Sequence, residues 1–316
     1  MKGTIMRRRN SLVFLKLVSL ATLIFLLSGC PADEMTTPPG PSTALAAVTN
    51  LRAYSKNAIT VGLTWTASTD AGNSDFQEYQ ITTKVGSTVA AASTVSKSET
   101  AREIMNLVEG VIYTFEVVGV ASSTSQTYVN SDTVTIQWSP ARRLDMEGAI
   151  DIEVYEIQSQ LGGSGLQFYD AASGGPRVLS IAASQGFQQD IDVLLDTLVG
   201  GTIILESAHL NPLLVGQARA TAFSSIDTPA DSLNVGQQSP PDLSTYDRDY
   251  VVIGSGAVAT GKIFYAISSD SNYVRILVER DPTSGTLLFD SSPDQVARAK
   301  LSYQGVAGVP FAKQRP

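Results

Sequence analysis

Three carboxylates fall in the run Asp190-Ile191-Asp192-Val193-Leu194-Leu195-Asp196. The only histidine of the chain follows at His209, and the only cysteine stands far upstream at Cys30. Paired carboxylates can divide general acid and base work at a glycosidic bond. A histidine can act as base or ligand near neutral pH, and a thiol as nucleophile, metal ligand or acyl acceptor. Spacing limits each of these. On an extended strand Asp190 and Asp192 share a face with Leu194, so two carboxylates could line a site or face water, and the solvated edge is the favoured reading. His209 sits in Glu206-Ser207-Ala208-His209-Leu210-Asn211-Pro212, a strand end entering a turn. No Gly-x-Ser-x-Gly elbow accompanies it, and zinc would lack further nitrogen or sulfur ligands. Asp190, Asp192, Asp196 and His209 therefore stand as candidate ligand contacts. No catalytic set, metal site or cofactor is expected.

Cys30 ends a segment of a different kind. Lys2, Arg7, Arg8 and Arg9 open the chain, an apolar run extends from Leu12 to Leu27, and Ser28 and Gly29 precede the cysteine. This three-part layout is that of a secretory signal, and Leu27-Ser28-Gly29-Cys30 resembles the lipobox of bacterial lipoproteins. The resemblance implies removal of residues 1–29 and acylation of Cys30, which anchors the protein to a membrane of the bacterial cell envelope. Pro31 stands where some lipoproteins retained at the inner membrane carry aspartate, which favours the outer membrane. Residues 30–46, with Pro38-Pro39-Gly40-Pro41, read as a lipidated tether.

The leader holds five of the 22 basic residues and no acid, so 17 basic residues remain against 30 acidic ones. A balance this negative excludes nucleic acid as a partner and opposes anionic headgroups, leaving the lipid as the membrane contact. With no second cysteine there is no intramolecular disulfide. The cores must hold the fold.

From residue 47 onward short alternating runs are punctuated by turn residues, which predicts an all-β chain. In the first domain, 47–141, strands are expected near 51–54, 59–66, 76–84, 101–106, 113–120 and 131–138. Leu63-Thr64-Trp65-Thr66, Tyr79 within Phe76–Ile81, and Leu107-Val108-Glu109-Gly110-Val111-Ile112-Tyr113 resemble the fibronectin type III domain. The resemblance implies a β-sandwich with Trp65 and Tyr79 in its core and a tyrosine corner at Tyr113. The polar stretch 68–75 departs from a calcium-loop spacing and reads as a solvated turn.

The second domain, 142–316, is expected to be a larger β-sandwich or partly open barrel, with ten short strands from 150–157 to 299–303. A short helix is predicted near 294–300, after Ser292-Pro293. Val252-Ile253-Gly254-Ser255-Gly256 looks like a dinucleotide turn, but the β run from Ile263 follows almost at once, so a glycine-rich hairpin connection is the better reading. The segment 261–276, with 190–196, weakly resembles HmuY-type haem-binding envelope lipoproteins. That family implies haem held by two histidines, and a chain with one histidine cannot supply them.

The expected function is a non-enzymatic, lipid-anchored envelope protein that binds a glycan, a protein or a small ligand. A carbohydrate-active hydrolase using Asp190, Asp192 or Asp196 is the alternative, and a structural accessory subunit of an envelope complex is a second one.

Overall fold

The computed structural model describes residues 43–144, 152–214, 216–236, 241–291 and 293–310. The leader with Leu27, Ser28, Gly29 and Cys30 lies outside the described residues, as do tether positions 30–42. Residues from 43 onward belong to one compact unit.

The N-terminal sandwich uses β1 (Thr43–Ala44), β2 (Thr49–Asn57), β3 (Thr60–Thr66), β4 (Phe76–Val85), β5 (Thr88–Ser96), β6 (Ala101–Ile104), β7 (Tyr113–Ala121), β8 (Tyr128–Val129) and β9 (Val134–Trp138). A three-stranded sheet, β2-β3-β6, packs on a four-stranded sheet, β5-β4-β7-β9, and β1 pairs with β8. Alternation places the core: Tyr113, Phe115 and Val117 of β7 are buried, whereas Thr114, Glu116 and Val118 are only partly so. Trp65 meets Tyr79 edge to face at 5.8 Å. The Trp138 indole Nε1 donates to Ser55 Oγ at 3.0 Å. The backbone N–H of Val108 donates to the Tyr113 hydroxyl at 3.0 Å, which forms the expected tyrosine corner.

The C-terminal sandwich uses β10 (Arg142–Arg143), β11 (Ile152–Tyr155), β12 (Gly165–Asp170), β13 (Gly175–Leu179), β14 (Val193–Leu198), β15 (Thr202–Ser207), β16 (Thr221–Pro229), β17 (Tyr250–Val252), β18 (Lys262–Ser268), β19 (Tyr273–Val278) and β20 (Val296–Tyr303). One sheet runs β10-β20-β19-β18-β16, with β11 also on β20. The other runs β13-β12-β14-β15-β17. Phe168, Leu195 and Leu205 of the second sheet interdigitate with Phe264, Ile276 and Leu301 of the first. Each such side chain removed from water contributes about 1.5–3 kcal/mol. The two sheets form separate ladders, joined at one margin by an isolated bridge between Glu156 and Leu195, and they close no barrel.

Several expectations are corrected. Residues 294–300 form no helix, because β20 pairs with β19 on one side and with β11 on the other. That ladder outweighs the helical propensity of Ala297-Arg298-Ala299-Lys300. The glycine run after β17 is no hairpin: β17 and β18 lie in different sheets, and the run carries the chain across the sandwich. No strand covers 286–289; Phe289 makes only an isolated bridge to Val296. β5 and β13 were not expected. The polar stretch 68–75 spends its carboxylates on structure, with Asp70 Oδ2 accepting from Ala46 N and Asp75 Oδ2 from Ser125 Oγ.

The outer face of the first sheet carries a second small core, in which Ala230 and Leu233 of the β16–β17 connection cover Ile263, Tyr265 and Leu277. Arg275 lies beneath this strap, 1% exposed. It donates to the carbonyls of Leu233 (3.4 Å) and Val235 (3.1 Å), while its Nε has no partner among the described residues. Burial lowers its pKa to about 10. Arg52 of β2 reaches the Gly236 carbonyl and Arg143 reaches the Asn234 side chain, so the strap also touches the N-terminal sandwich.

Candidate functional site

The four nominated side chains occupy three separate environments. Asp190 ends a 3-10 turn, Gln188–Asp190. Asp192 is buried rather than solvated, at 1% exposure, which corrects the solvated-edge reading. Its Oδ2 accepts from Phe168 N at 2.8 Å, and Oδ1 has no hydrogen-bond partner among the described residues. Arg219 Nη1 approaches Oδ1 to 3.8 Å and pairs more closely with Asp270, at 3.0 Å. Burial raises the Asp192 pKa to about 6, the Phe168 bond and Arg219 oppose the rise, and Asp270 and Asp190 add to it.

Asp196 lies across the ladder from the Glu206 strand. Asn211 Nδ2 donates to Asp196 Oδ2 at 3.0 Å and to Glu206 Oε1 at 2.8 Å. Burial, with Asp196 alongside, raises the Glu206 pKa. Both carboxylates converge on one nitrogen, whereas the carboxylates of a glycosidase flank the scissile bond about 5–9.5 Å apart. His209 joins neither group. Its Nδ1 meets Ser207 Oγ at 2.9 Å, and that hydroxyl also accepts from Thr221 N. Ser207 is fully buried, so its hydroxyl faces protein rather than solvent.

A concave surface lies elsewhere, where the β19–β20 connection folds over β20. Two adjoining hollows of about 270 and 510 Å³ share Pro282, Phe289 and Arg298. These volumes approach the range of about 300–1,000 Å³ common for small-ligand sites. Arg298 is held by Glu153, its Nε 2.9 Å from Oε1, and its guanidinium lies 4.2 Å from the centre of the Phe289 ring. Arg280 is anchored through Nε alone, to the Val258 carbonyl at 2.8 Å. Neither arginine uses its Nη groups in a hydrogen bond among the described residues.

Acceptors surround this floor. Asp281 accepts from the N–H groups of Thr283 and Ser284, and the Ser284 side chain together with these N–H groups holds its carboxyl below the usual range. Asp290 sits at φ 60°, a left-handed conformation that Asp tolerates better than most residues. Gly285 has φ +75°, a conformation that other residues rarely adopt, and a Cβ there would lie 3.0 Å from Arg280 Nη2. The groove thus offers apolar ring surface, unpaired N–H donors and carboxylate acceptors together. The sequence does not signal it, because its residues, Asp231 and others between 279 and 298, share no motif. Among the described residues no group of His, Cys, Asp or Glu is placed to hold a metal ion.

Comparison with known proteins supports the N-terminal assignment. Residues 46–129 match the model of the Fibronectin type III domain. Solved structures similar to the chain include the fn3 domain of human collagen alpha-1(XX) chain, at 14% identity, covering 35% of this chain and 99% of that one with a TM-score of 0.26. The fn3 domain of human contactin 1 matches at 15% identity over 39% of this chain and 98% of that one, TM-score 0.26. A two-domain fibronectin type III segment of chicken tenascin matches at 13% identity over 70% and 90%, TM-score 0.25. No curated protein matches the chain. The chain is all-β and carries a fibronectin type III domain followed by a second β-sandwich.

Proposed function

We propose that the protein is a lipid-anchored envelope protein that binds a neutral glycan, without turning it over, in the groove at Phe289, Arg280 and Arg298. The observation that carries the glycan is the groove itself. An aromatic ring and a proline supply a flat apolar floor suited to the C–H face of a sugar. The free arginine N–H groups and the carboxylates of Asp281 and Asp290 supply both donors and acceptors for hydroxyls. Acidic residues outnumber arginines there, which favours a neutral ligand over a polyanion.

Anchoring rests on Leu27-Ser28-Gly29-Cys30 and the tether that follows. Acylation would hold an acidic protein at a membrane that its surface charge does not favour. The weaker likeness to HmuY-type lipoproteins agrees with a binding role at the envelope, although the ligand must differ from haem. Binding without turnover is supported by the convergence of Asp196 and Glu206 on Asn211 and by the burial of Asp192 and Ser207.

Glycan-array binding by the full chain carrying Cys30→Ser tests the site. Neutral oligosaccharides should be retained, and Phe289→Ala or Arg298→Ala should weaken binding at least tenfold. No binding to any glycan, or binding unchanged in both variants, sinks the proposal. Labelled fatty acid should enter the wild-type chain in a bacterial host and be absent from Cys30→Ser.

A further inference from the structure

We propose that two copies of this chain associate edge to edge through β5, antiparallel, with Ser93 on the two-fold axis. β5 closes one side of its sheet and pairs only with β4. In an antiparallel ladder alternate residues of an edge strand turn N–H and C=O away from the neighbour. Among the described residues, no backbone hydrogen bond outside that ladder involves residues 88–95. The strand Thr88–Ser96 holds no charge and no proline, and eight of its nine residues are exposed or half-exposed. Val89 is 54% exposed, whereas Val95 is buried in the core.

Several other edges in the molecule are shorter, charged or interrupted. β6 is short and carries Arg102 and Glu103. β17 has three residues, and β16 is broken by an irregularity between Phe223 and Asp227. Long, flat and uncharged edges are the ones that recruit another strand. The protection that β5 has is a bulge: Thr83 and Lys84 oppose Ala91 and Val89, so Ala90 is extra. The bulge spares Ala91–Ser96, a regular stretch of about 20 Å.

A second copy suits this stretch better than a foreign strand, because its small side chains form no pocket and carry no charge to select one. Antiparallel pairing about Ser93 sets Ala91 opposite Val95 and Ala92 opposite Thr94, each on the same face, and Ser93 opposite itself. Such a contact is isologous and closes at two copies. One edge buries far less than the roughly 1,200 Å² of a standard interface, so the association is weak and depends on concentration.

Cysteine crosslinking of the full chain carrying Cys30→Ser tests the register. Under mild oxidation Ser93→Cys should form a disulfide dimer at least tenfold faster than Thr135→Cys, an exposed control on β9. Adding Thr94→Lys to Ser93→Cys should remove that advantage, and sedimentation of the Cys30→Ser chain should show dimer rising with concentration. Equal crosslinking rates at both positions, or a monomer at all concentrations, overturn the proposal. Neither readout depends on glycan binding or on acylation.

Discussion

Gln304 Nε2 donates to the Pro140 carbonyl at 3.1 Å, tying the residue after β20 to the link that leaves the N-terminal sandwich. Gln304 is fully buried. It also meets Ser139 Oγ, accepts from Val306 N through Oε1, and accepts from Asn272 Nδ2 through its own carbonyl. Glu109 reinforces the junction by pairing with Arg142 at 3.0 Å and accepting from Gly305 N. Val306 packs over Gly110, where φ is +82° and a Cβ would fall 2.4 Å from Val306 Cγ2. The two sandwiches are thereby locked.

Gln304→Ala should loosen this lock. It leaves the buried Pro140 carbonyl without its donor, at about 1–3 kcal/mol, while the N–H of Val306, which is exposed, can turn to water. Differential scanning calorimetry should show one cooperative transition for the wild type and two for this variant. Gln304→Glu, which keeps an acceptor for Val306 N, should fall between them.

The strap over Arg275 gives a second prediction. Arg275→Ala removes the donor for two carbonyls and opens a cavity, and should cost about 3–5 kcal/mol in chemical denaturation. Arg275→Met fills the space and removes the buried charge, so it should cost less. In both variants limited proteolysis should cut within 230–246 faster than in the wild type, before global unfolding. Unchanged cleavage there would contradict the stapling role.

Much of the fold was legible because burial in an antiparallel sandwich is written as alternation, as in Tyr113–Ala121. β5 was not, because Thr, Ala and Ser of similar polarity fill both faces of an edge with little to bury. Residues 294–300 carry helix-like local signals that only their ladder partners override. The groove was illegible for another reason: Phe289, Arg280 and Arg298 acquire their joint meaning through the β19–β20 connection. Asp192 was visible as a carboxylate, but its burial depends on packing that no local spacing encodes.

That burial sets a pH dependence. The Asp192 pKa is raised to about 6, above the unfolded value, so between roughly pH 4 and 6 the folded protein holds a proton that the unfolded chain has released. Its contribution is therefore most favourable below pH 4 and is lost as pH rises through 6. Asp192→Asn keeps an acceptor for Phe168 N and carries no charge. It should be more stable than the wild type at pH 7.5 by about 1–3 kcal/mol, and the difference should close by pH 4. A constant difference across that range, measured by denaturant midpoints, would exclude titration of Asp192 as its source.

The tyrosine corner offers a test internal to the fibronectin type III domain. Two tyrosine hydroxyls there accept from backbone: Tyr113 from Val108 N at 3.0 Å and Tyr79 from Ser68 N at 2.9 Å. Both rings stay packed when the hydroxyl is removed, so each Tyr→Phe variant isolates one hydrogen bond. Val108 is 57% exposed and water can reach its N–H, whereas Ser68 is buried. Tyr113→Phe should therefore cost about 1 kcal/mol, and Tyr79→Phe more, up to about 3 kcal/mol. Urea unfolding of the two variants should give this order. The reverse order would mean that the corner, rather than burial of the donor, governs the energetics of this sandwich.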